Sequence, residues 1–325
     1  MLTMKNILVT GGAGYLGSHI VEILIKKKFK VFIVDNLITG HRRLINKKAK
    51  FFNLDINNLK KLRKIILENN IDSIIHLAAL LDVNESQKKP KKYLFNNVNG
   101  SKKVLDACKN TLVKNFIFSS TAAVYKDGVY KVKENSPLKP KSIYGKTKLK
   151  AENLIKKNLK KSNITYAILR YFNVCGASTS KKIGQINSYD LLFKNLSSAV
   201  LKKNPKINIY GNDYKTKDGT CIRDFIHVSD ISEIHVKILN KINDLKKSII
   251  LNCGYGVGKS VLEVVKSFEK YTKKKIKVIY KPRRRADLSQ IISNNKKLKK
   301  YLNWKPKHNK LSLMVKSSIK WEQRI

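Results

Sequence analysis

The sequence predicts an α/β protein built on a doubly wound parallel sheet, with a smaller C-terminal α/β domain interleaved with it. Three observations predict this. Short β-branched runs alternate with amphipathic stretches through the first half of the chain, a glycine cluster joins the first run to the first such stretch, and the alternation loosens beyond about Tyr171.

Taken in order, Lys5 to Thr10, Lys30 to Asp35, Phe51 to Leu54, Ser73 to Leu77 and Asn115 to Ser119 read as strands buried on both faces. Gly17 to Lys27 and Leu59 to Glu68 carry apolar residues at helical spacing, and a further helix is expected from about Tyr144 to Leu159. Beyond these, loops are expected over Ala177 to Asn187 and Gly211 to Thr220, and helices over Leu191 to Lys203, Asp230 to Leu239 and Val261 to Tyr271. Phe225 to Val228 and Ile249 to Asn252 are the later strands. This pattern assigns residues 1–176 to a first domain and 177–325 to a second, with segments around 222–252 returning to the first.

The formal net charge of +47 invites a nucleic-acid or anionic-membrane reading. Lysine supplies most of that excess, however, and is spread over the whole chain with abundant Asn and Ile. Such a spread fits a solvated surface that concentrates anionic ligands, so no nucleic-acid partner is expected. No apolar run approaches the roughly 18 residues of a membrane span, so no membrane partner is expected either. Glycines 11, 12, 14 and 17 make the amino-terminal stretch a poor secretion signal. Cys108, Cys175, Cys221 and Cys253 lie far apart with no Cys-x-x-Cys pair, which argues against a disulfide framework or zinc ribbon and fits a cytoplasmic protein. The histidines, among them His76, His227 and His235, make no metal-ligand spacing, so no metal is expected.

Gly11, Gly14 and Gly17 follow the first strand and open the first helix. A tight turn, a close backbone approach to a pyrophosphate and close helix packing each exclude a side chain there, and the helix N-terminus then presents amides to the phosphates. Asp35 ends the second strand about 20 residues later, where a carboxylate accepts from the adenosine ribose hydroxyls and repels a 2′-phosphate. NAD is therefore expected rather than NADP, with Asp55 and Ile56 placed after the third strand to meet the adenine.

Tyr144 and Lys148 stand four residues apart on one helical face, a pair that abundant lysine would produce by chance. The preceding strand gives the pair its meaning. Phe116 to Thr121 brings the hydroxyls of Ser119, Ser120 and Thr121 to the carboxyl end of the sheet, where open α/β folds bind ligands. Tyrosine titrates near 10, so acting as a base near neutrality requires a drop of about three units, or about 4 kcal/mol of preferential phenolate stabilisation. Lys148 and a positive nicotinamide are the cations expected to provide it.

With these motifs the chain resembles the extended short-chain dehydrogenase/reductases, and among them the bacterial UDP-glucose 4-epimerases. The similarity runs from Lys5 to about Trp304. Its specific stretches are Asn96 to Gly100, Leu169 to Ala177, Tyr210 to Tyr214, Asp218 to Val228 and Pro282 to Arg284. The resemblance implies a Rossmann NAD-binding domain followed by a nucleotide-sugar-binding domain, and a reversible, non-stereospecific oxidation at carbon 4 of UDP-glucose or UDP-galactose. Tyr144, assisted by Thr121, takes the hydroxyl proton while the hydride moves to tightly bound NAD. The 4-keto sugar then swings about its bond to the diphosphate and takes the hydride back on the other face.

By the same resemblance the NAD site includes Tyr15, Leu16, Asn36, Leu77, Ala78, Ala79, Asn96, Ser119, Tyr144, Lys148 and Phe172, with Gly11, Gly14, Gly17, Asp35, Asp55 and Ile56. The UDP-sugar site includes Thr121, Tyr144, Asn173, Asp190, Leu191, Tyr210, Arg223, Arg284, Asp287 and Ile291. A homodimer is implied through helices near Pro90 to Lys109 and Thr147 to Leu159. For Arg283 to Arg285 the plain alternative is a solvated basic run.

Three positions depart from the family's pattern: Leu81 replaces a frequent lysine, Asp190 falls about where an asparagine often contacts the nucleotide sugar, and Ile291 replaces the tyrosine of strictly glucose-specific members. The smaller Ile291 implies room for an N-acetyl group, and so UDP-N-acetylglucosamine as a further substrate. Two other functions stand beside the epimerase. A nucleotide-sugar 4,6-dehydratase needs an acid and a base beside the keto sugar, and Ala122 and Ala123 after Thr121 offer neither. A non-catalytic basic protein that senses NAD or holds nucleic acid would show steep salt dependence and no turnover. Gly254 to Ser260 lacks the first glycine of a P-loop and reads as a turn into the helix from Val261.

Overall fold

The computed structural model describes residues 5–178, 180, 182–187, 189–245, 247–284 and 287–325. Arg285, the end of the basic run, and Thr179 and Lys181 in the Ala177 to Asn187 loop lie outside the described residues. The chain forms two compact units: residues through Val124, 142–170 and 232–251 in one, and 125–141, 171–231 and 252–325 in the other.

The first unit opens with β1 (Asn6–Thr10), α1 (Tyr15–Lys26), β2 (Lys30–Asp35), β3 (Lys50–Asn53), α2 (Leu59–Glu68) and β4 (Ser73–His76). Two short helices, α3 (Val83–Lys88) and α4 (Pro90–Tyr93), lead through a π-helical turn at Leu94–Asn99 into α5 (Gly100–Cys108) and β5 (Asn115–Thr121). After β6 (Lys131–Val132), which belongs to the second unit, α6 (Ile143–Leu159) and β7 (Thr165–Tyr171) follow. The second unit continues with β8 (Asn173–Cys175), α7 (Leu192–Val200), β9 (Lys206–Tyr210) and β10 (Ile222–His227). The chain then runs through α8 (Val228–Leu245) and β11 (Ile249–Cys253). It ends with β12 (Gly258–Ser260), α9 (Val261–Thr272), β13 (Lys277–Lys281), β14 (Gln290–Ser293), α10 (Lys296–Leu302) and α11 (Leu311–Glu322).

The architecture is the expected doubly wound α/β one. Seven strands lie in the order β11-β7-β5-β4-β1-β2-β3, with the strand order reversing between β1 and β4. Parallel register pairs Thr10 with Val34 and with His76, and His76 with Phe118. Gly11, Asp35, Leu77 and Ser119, each one residue further on, therefore share one level at the carboxyl edge of the sheet. Leu8, Phe32, Ile74, Phe116 and Phe118 pack one face against Leu62, Ile66, Val104 and Ile155 of the helices. Each such side chain contributes about 1.5–3 kcal/mol by burial, which fixes the height of that edge.

In the second unit β10 is central. It pairs with β12 antiparallel and with β14 and β8 in parallel, and β9 and β13 form a separate parallel ladder. The Gly254 to Ser260 segment, expected as a turn into a helix, bends only as far as Val257 and then forms β12 on β10, after which Ser260 and Glu263 form a reciprocal capping box at the start of α9, a device that contributes about 1 kcal/mol. No helix among the described residues is long and apolar enough to cross a membrane. All four cysteines are buried, and none of them forms a disulfide.

Candidate active site

The glycine loop is shaped by contacts that leave no room for a side chain. A Cβ on Gly17 would lie 2.1 Å from the Gly11 carbonyl oxygen, and one on Gly11, at φ +74°, would lie 2.7 Å from the Ala78 amide nitrogen. Gly14 is the N-cap of α1, with no side chain capping the helix and no carboxylate in its first turn. Tyr15 and Leu16 begin that turn, so the helix end presents backbone to an anion with no competing charge. Leu77 and Ala78 follow β4 and bind Thr10 through their amides, to its carbonyl oxygen at 3.1 Å and its hydroxyl at 3.4 Å, with Ala79 next in the chain.

Asp35 is buried, and its carboxylate accepts the Ala13 amide at 3.0 Å and the Leu37 amide at 2.9 Å. Burial raises its pKa and these bonds pull the other way. Each oxygen keeps an acceptor site beyond its amide, so the group can brace the loop and still take ribose hydroxyls. Asp55 accepts from Asn36 at 3.0 Å and from the Asn57 amide at 2.8 Å, and Ile56 is buried against Gly100. This donor set, uncapped helix end and glycine cradle fit a dinucleotide.

Ser142 caps α6 by accepting the Gly145 amide at 3.0 Å, and the Tyr144 amide donates to the Ser86 hydroxyl at 3.1 Å. The helix start is thus fixed and Tyr144 with it. The Thr121 hydroxyl lies beside the Tyr144 phenol and favours its ionised form. One turn on, Lys148 is 2% exposed, donates to the Ser119 carbonyl oxygen at 2.8 Å, and lies 5.0 Å from the centre of the Phe118 ring. Burial pushes the Tyr144 phenol up to about 12 against the lowering effect of Thr121, and pushes Lys148 down to about 7 against the raising effect of Glu152. Tyr144 therefore needs adjacent positive charge before it can act as a base near neutrality.

Several participants escaped the sequence reading. His76 is buried, with Nδ1 2.7 Å from the Thr10 hydroxyl and Nε2 2.9 Å from that of Ser101. Ser101 spends its proton on the Asn97 carbonyl oxygen, so His76 must donate from Nε2 and accept from Thr10 at Nδ1. Burial first, then Lys148, hold its pKa down to about 3, and it stays neutral. Of the two adjacent asparagines, Asn97 is the buried one. It bonds the Leu80 amide and carbonyl and the Thr147 hydroxyl, while partly exposed Asn96 donates to Asn97 at 3.0 Å. Ala122 and Ala123 form a short 3₁₀ turn after Thr121, with no acid in it.

The second unit gathers most of the remaining residues. Arg223 pairs with Asp287 at 3.6 Å and stands in β-register with buried Ile291. Arg284 lies 3.6 Å from the centre of the Tyr210 ring and is paired with Asp190. Leu191 follows Asp190 and is the N-cap of α7. Asn173 is paired with Phe225 across β8 and β10, and Phe172 is buried just before it. Leu81, the departure in the first unit, is exposed. Among the described residues no group of histidine, cysteine or carboxylate side chains could hold a metal ion.

Comparison with known proteins gives a consistent result. The NAD dependent epimerase/dehydratase family matches residues 7–254. A UDP-glucose 4-epimerase of Lactobacillus helveticus is 38% identical over 322 residues, covering 98% of this chain and 97% of that protein. A crystal structure of UDP-glucose 4-epimerase from Stenotrophomonas maltophila, with bound NAD and formylated UDP-arabinopyranose, superposes with a TM-score of 0.94 at 34% identity, covering 98% of each chain. The UDP-Glc/GlcNAc 4-epimerase of Campylobacter jejuni gives a TM-score of 0.85 at 38% identity, covering 99% of this chain and 100% of that one.

Proposed function

This chain belongs to the NAD dependent epimerase/dehydratase family, and we propose that within it the protein is a UDP-glucose 4-epimerase, interconverting UDP-glucose and UDP-galactose. One observation carries the reading: the Thr121 hydroxyl, Tyr144 phenol and Lys148 ammonium cluster at the carboxyl end of the parallel sheet, on the level of the glycine loop and Asp35. Bound NAD supplies reversible hydride acceptance at the sugar's carbon 4. Tyr144 takes the 4-hydroxyl proton as a phenolate and returns it, Thr121 holds the same oxygen, and Lys148 stabilises the phenolate charge.

Gly11, Gly14, Gly17, Tyr15 and Leu16 hold the pyrophosphate of NAD in this reading, and Asp35, Asn36, Asp55 and Ile56 its adenosine. Leu77, Ala78, Ala79, Asn96, Ser119 and Phe172 complete that site. Arg223 and Arg284 meet the diphosphate with forked donors, Asp287, Tyr210, Asn173 and Leu191 hold the rest of UDP, and Asp190 lines the site as the carboxylate that Arg284 must leave to do so. Anchoring the nucleotide rather than the hexose leaves the keto sugar free to turn over. A 4,6-dehydratase has less support, because the Thr121 to Val124 segment carries no acid for eliminating water.

Ile291 supports a wider substrate range, including UDP-N-acetylglucosamine, since isoleucine leaves volume where a tyrosine ring would stand; the Campylobacter jejuni relative is named for both sugars. Exposed Leu94 and Phe95 in the Pro90 to Lys109 region support a homodimer, and four buried cysteines with no disulfide among them support a cytoplasmic location. The test is incubation of purified protein with UDP-galactose and separation of the epimers. Formation of UDP-glucose with no added NAD is the expected result, and its absence with NAD in excess would overturn the proposal.

A further inference from the structure

Behind the catalytic cluster lies a buried ion pair that the reaction does not touch. Glu152 and Arg170 are 0% and 1% exposed at their side chains. Arg170, on β7, donates from Nε to Glu152 Oε1 at 2.9 Å and from Nη2 to Oε2 at 2.7 Å, a bidentate fork. The Ser120 hydroxyl donates to Glu152 Oε1 at 2.5 Å. Glu152 stands one turn beyond Lys148 on α6, and Lys148 holds the Ser119 carbonyl. Successive turns of one helix thus grip successive residues of β5, and the neighbouring strand β7 locks the second grip.

Stability alone gives little reason for this arrangement. A buried pair recovers its desolvation cost at best, and apolar residues of the same volume often do as well. We propose that Glu152 and Arg170 are positioning residues, which hold the Ser119–Ser120 strand end and the Lys148 ammonium in the one arrangement that serves Tyr144. The inference rests on the reading of Tyr144 and Lys148 as the catalytic pair.

The charges around Lys148 support it. Glu152 and Tyr144 lie on its own helix, Arg170 on β7 and neutral His76 on β4, with the Phe118 ring of β5 below the ammonium. Glu152 is thus the one carboxylate among these groups and opposes the loss of the Lys148 proton, while Arg170 balances Glu152.

The test is the pH profile of kcat for UDP-galactose, with bound NAD and melting temperature recorded for each variant. In Glu152→Gln the carboxylate is gone while the Arg170 charge stays, so Lys148 loses its proton sooner and the alkaline limb moves down by about one pH unit. The double variant Glu152→Gln/Arg170→Met removes both charges together, and its limb returns toward that of wild type. Ser120→Ala loses only the second grip, lowering kcat several-fold with KM and the limb unchanged. If Glu152→Gln does not fold, kcat decides the matter: the double variant, which has lost the Arg170 fork, and Ser120→Ala should each fall several-fold below wild type with NAD retained. A Glu152→Gln limb at the wild-type position, or a kcat of the double variant and of Ser120→Ala that stays at wild type or falls only with the folded fraction, overturns the inference. A wild type unable to convert UDP-galactose overturns the underlying reading as well, and that outcome is separate because it precedes any variant.

Discussion

The Lys148 ammonium donates to the carbonyl oxygen of Ser119 at 2.8 Å, so the cation beside Tyr144 is tied to the backbone of the strand that presents Thr121. Base, cation and hydroxyl are held by one helix and one strand. Small changes in any of them should therefore reach the chemistry.

Tyr144→Phe removes the proton acceptor and leaves the helix cap and the Lys148 bond in place. The kcat for UDP-galactose should fall about 10²–10⁴-fold with the NAD content retained. A coupled assay for UDP-glucose, read beside the cofactor's absorbance, checks it; turnover within a few-fold of wild type would remove Tyr144 from the mechanism.

Gly17→Ala places a methyl 2.1 Å from the Gly11 carbonyl oxygen, a backbone atom that cannot swing aside. The loop must open, at a cost of about 1–3 kcal/mol in stability. The purified variant should carry much less NAD than wild type; full occupancy would show that the loop does not hold the cofactor.

Asp190 is paired with Arg284, which a diphosphate would otherwise engage. Asp190→Asn removes the competing charge, and the Kd for UDP should fall about tenfold, equivalent to about 1.4 kcal/mol. Calorimetric titration with UDP reads this directly, and weaker binding by the variant would contradict it.

Burial holds Lys148 down to about 7, while the unfolded chain keeps that proton to about pH 10. Between these limits the unfolded state binds more protons than the folded one, so the penalty from this group is full below pH 7 and fades as pH rises. Lys148→Met should melt above wild type at about pH 6, with the advantage shrinking toward about pH 10. Melting curves across that range test it; an advantage independent of pH would count against it.

Ile291→Tyr fills the volume proposed for an N-acetyl group. Turnover of UDP-N-acetylglucosamine should drop roughly tenfold or more while that of UDP-galactose stays within a few-fold. Equal exclusion of the acetylated sugar by both proteins would argue against a wider range.

The parallel sheet was legible because its strands are unbroken β-branched runs, and the first five lie within one or two residues of their expected bounds. Strands β9 and β13 were not, because each opens on a lysine and holds only a few apolar residues in a chain where lysine is everywhere. Tyr144, Lys148 and the glycines were legible from spacing, since each depends on near neighbours. Glu152 and Arg170 were not: a glutamate in a lysine-rich helix reads as solvated, and its partner is 18 residues away on a strand. The buried Asn97 was indistinguishable from Asn96 for the same reason, because burial is decided by Leu80 and Thr147 rather than by local pattern.

The chain leaves its first unit after Val124 and after Arg170 and comes back at Ser142 and Ser232, so that unit is assembled from three separate stretches. During synthesis the ribosome must deliver residue 253 before β11 can close the edge of β7. Until then the nascent sheet exposes an unpaired apolar strand, the kind of edge that recruits other chains. A gene truncated after β7 would encode every residue of the Thr121, Tyr144 and Lys148 cluster and yet leave that strand's apolar edge open to other chains.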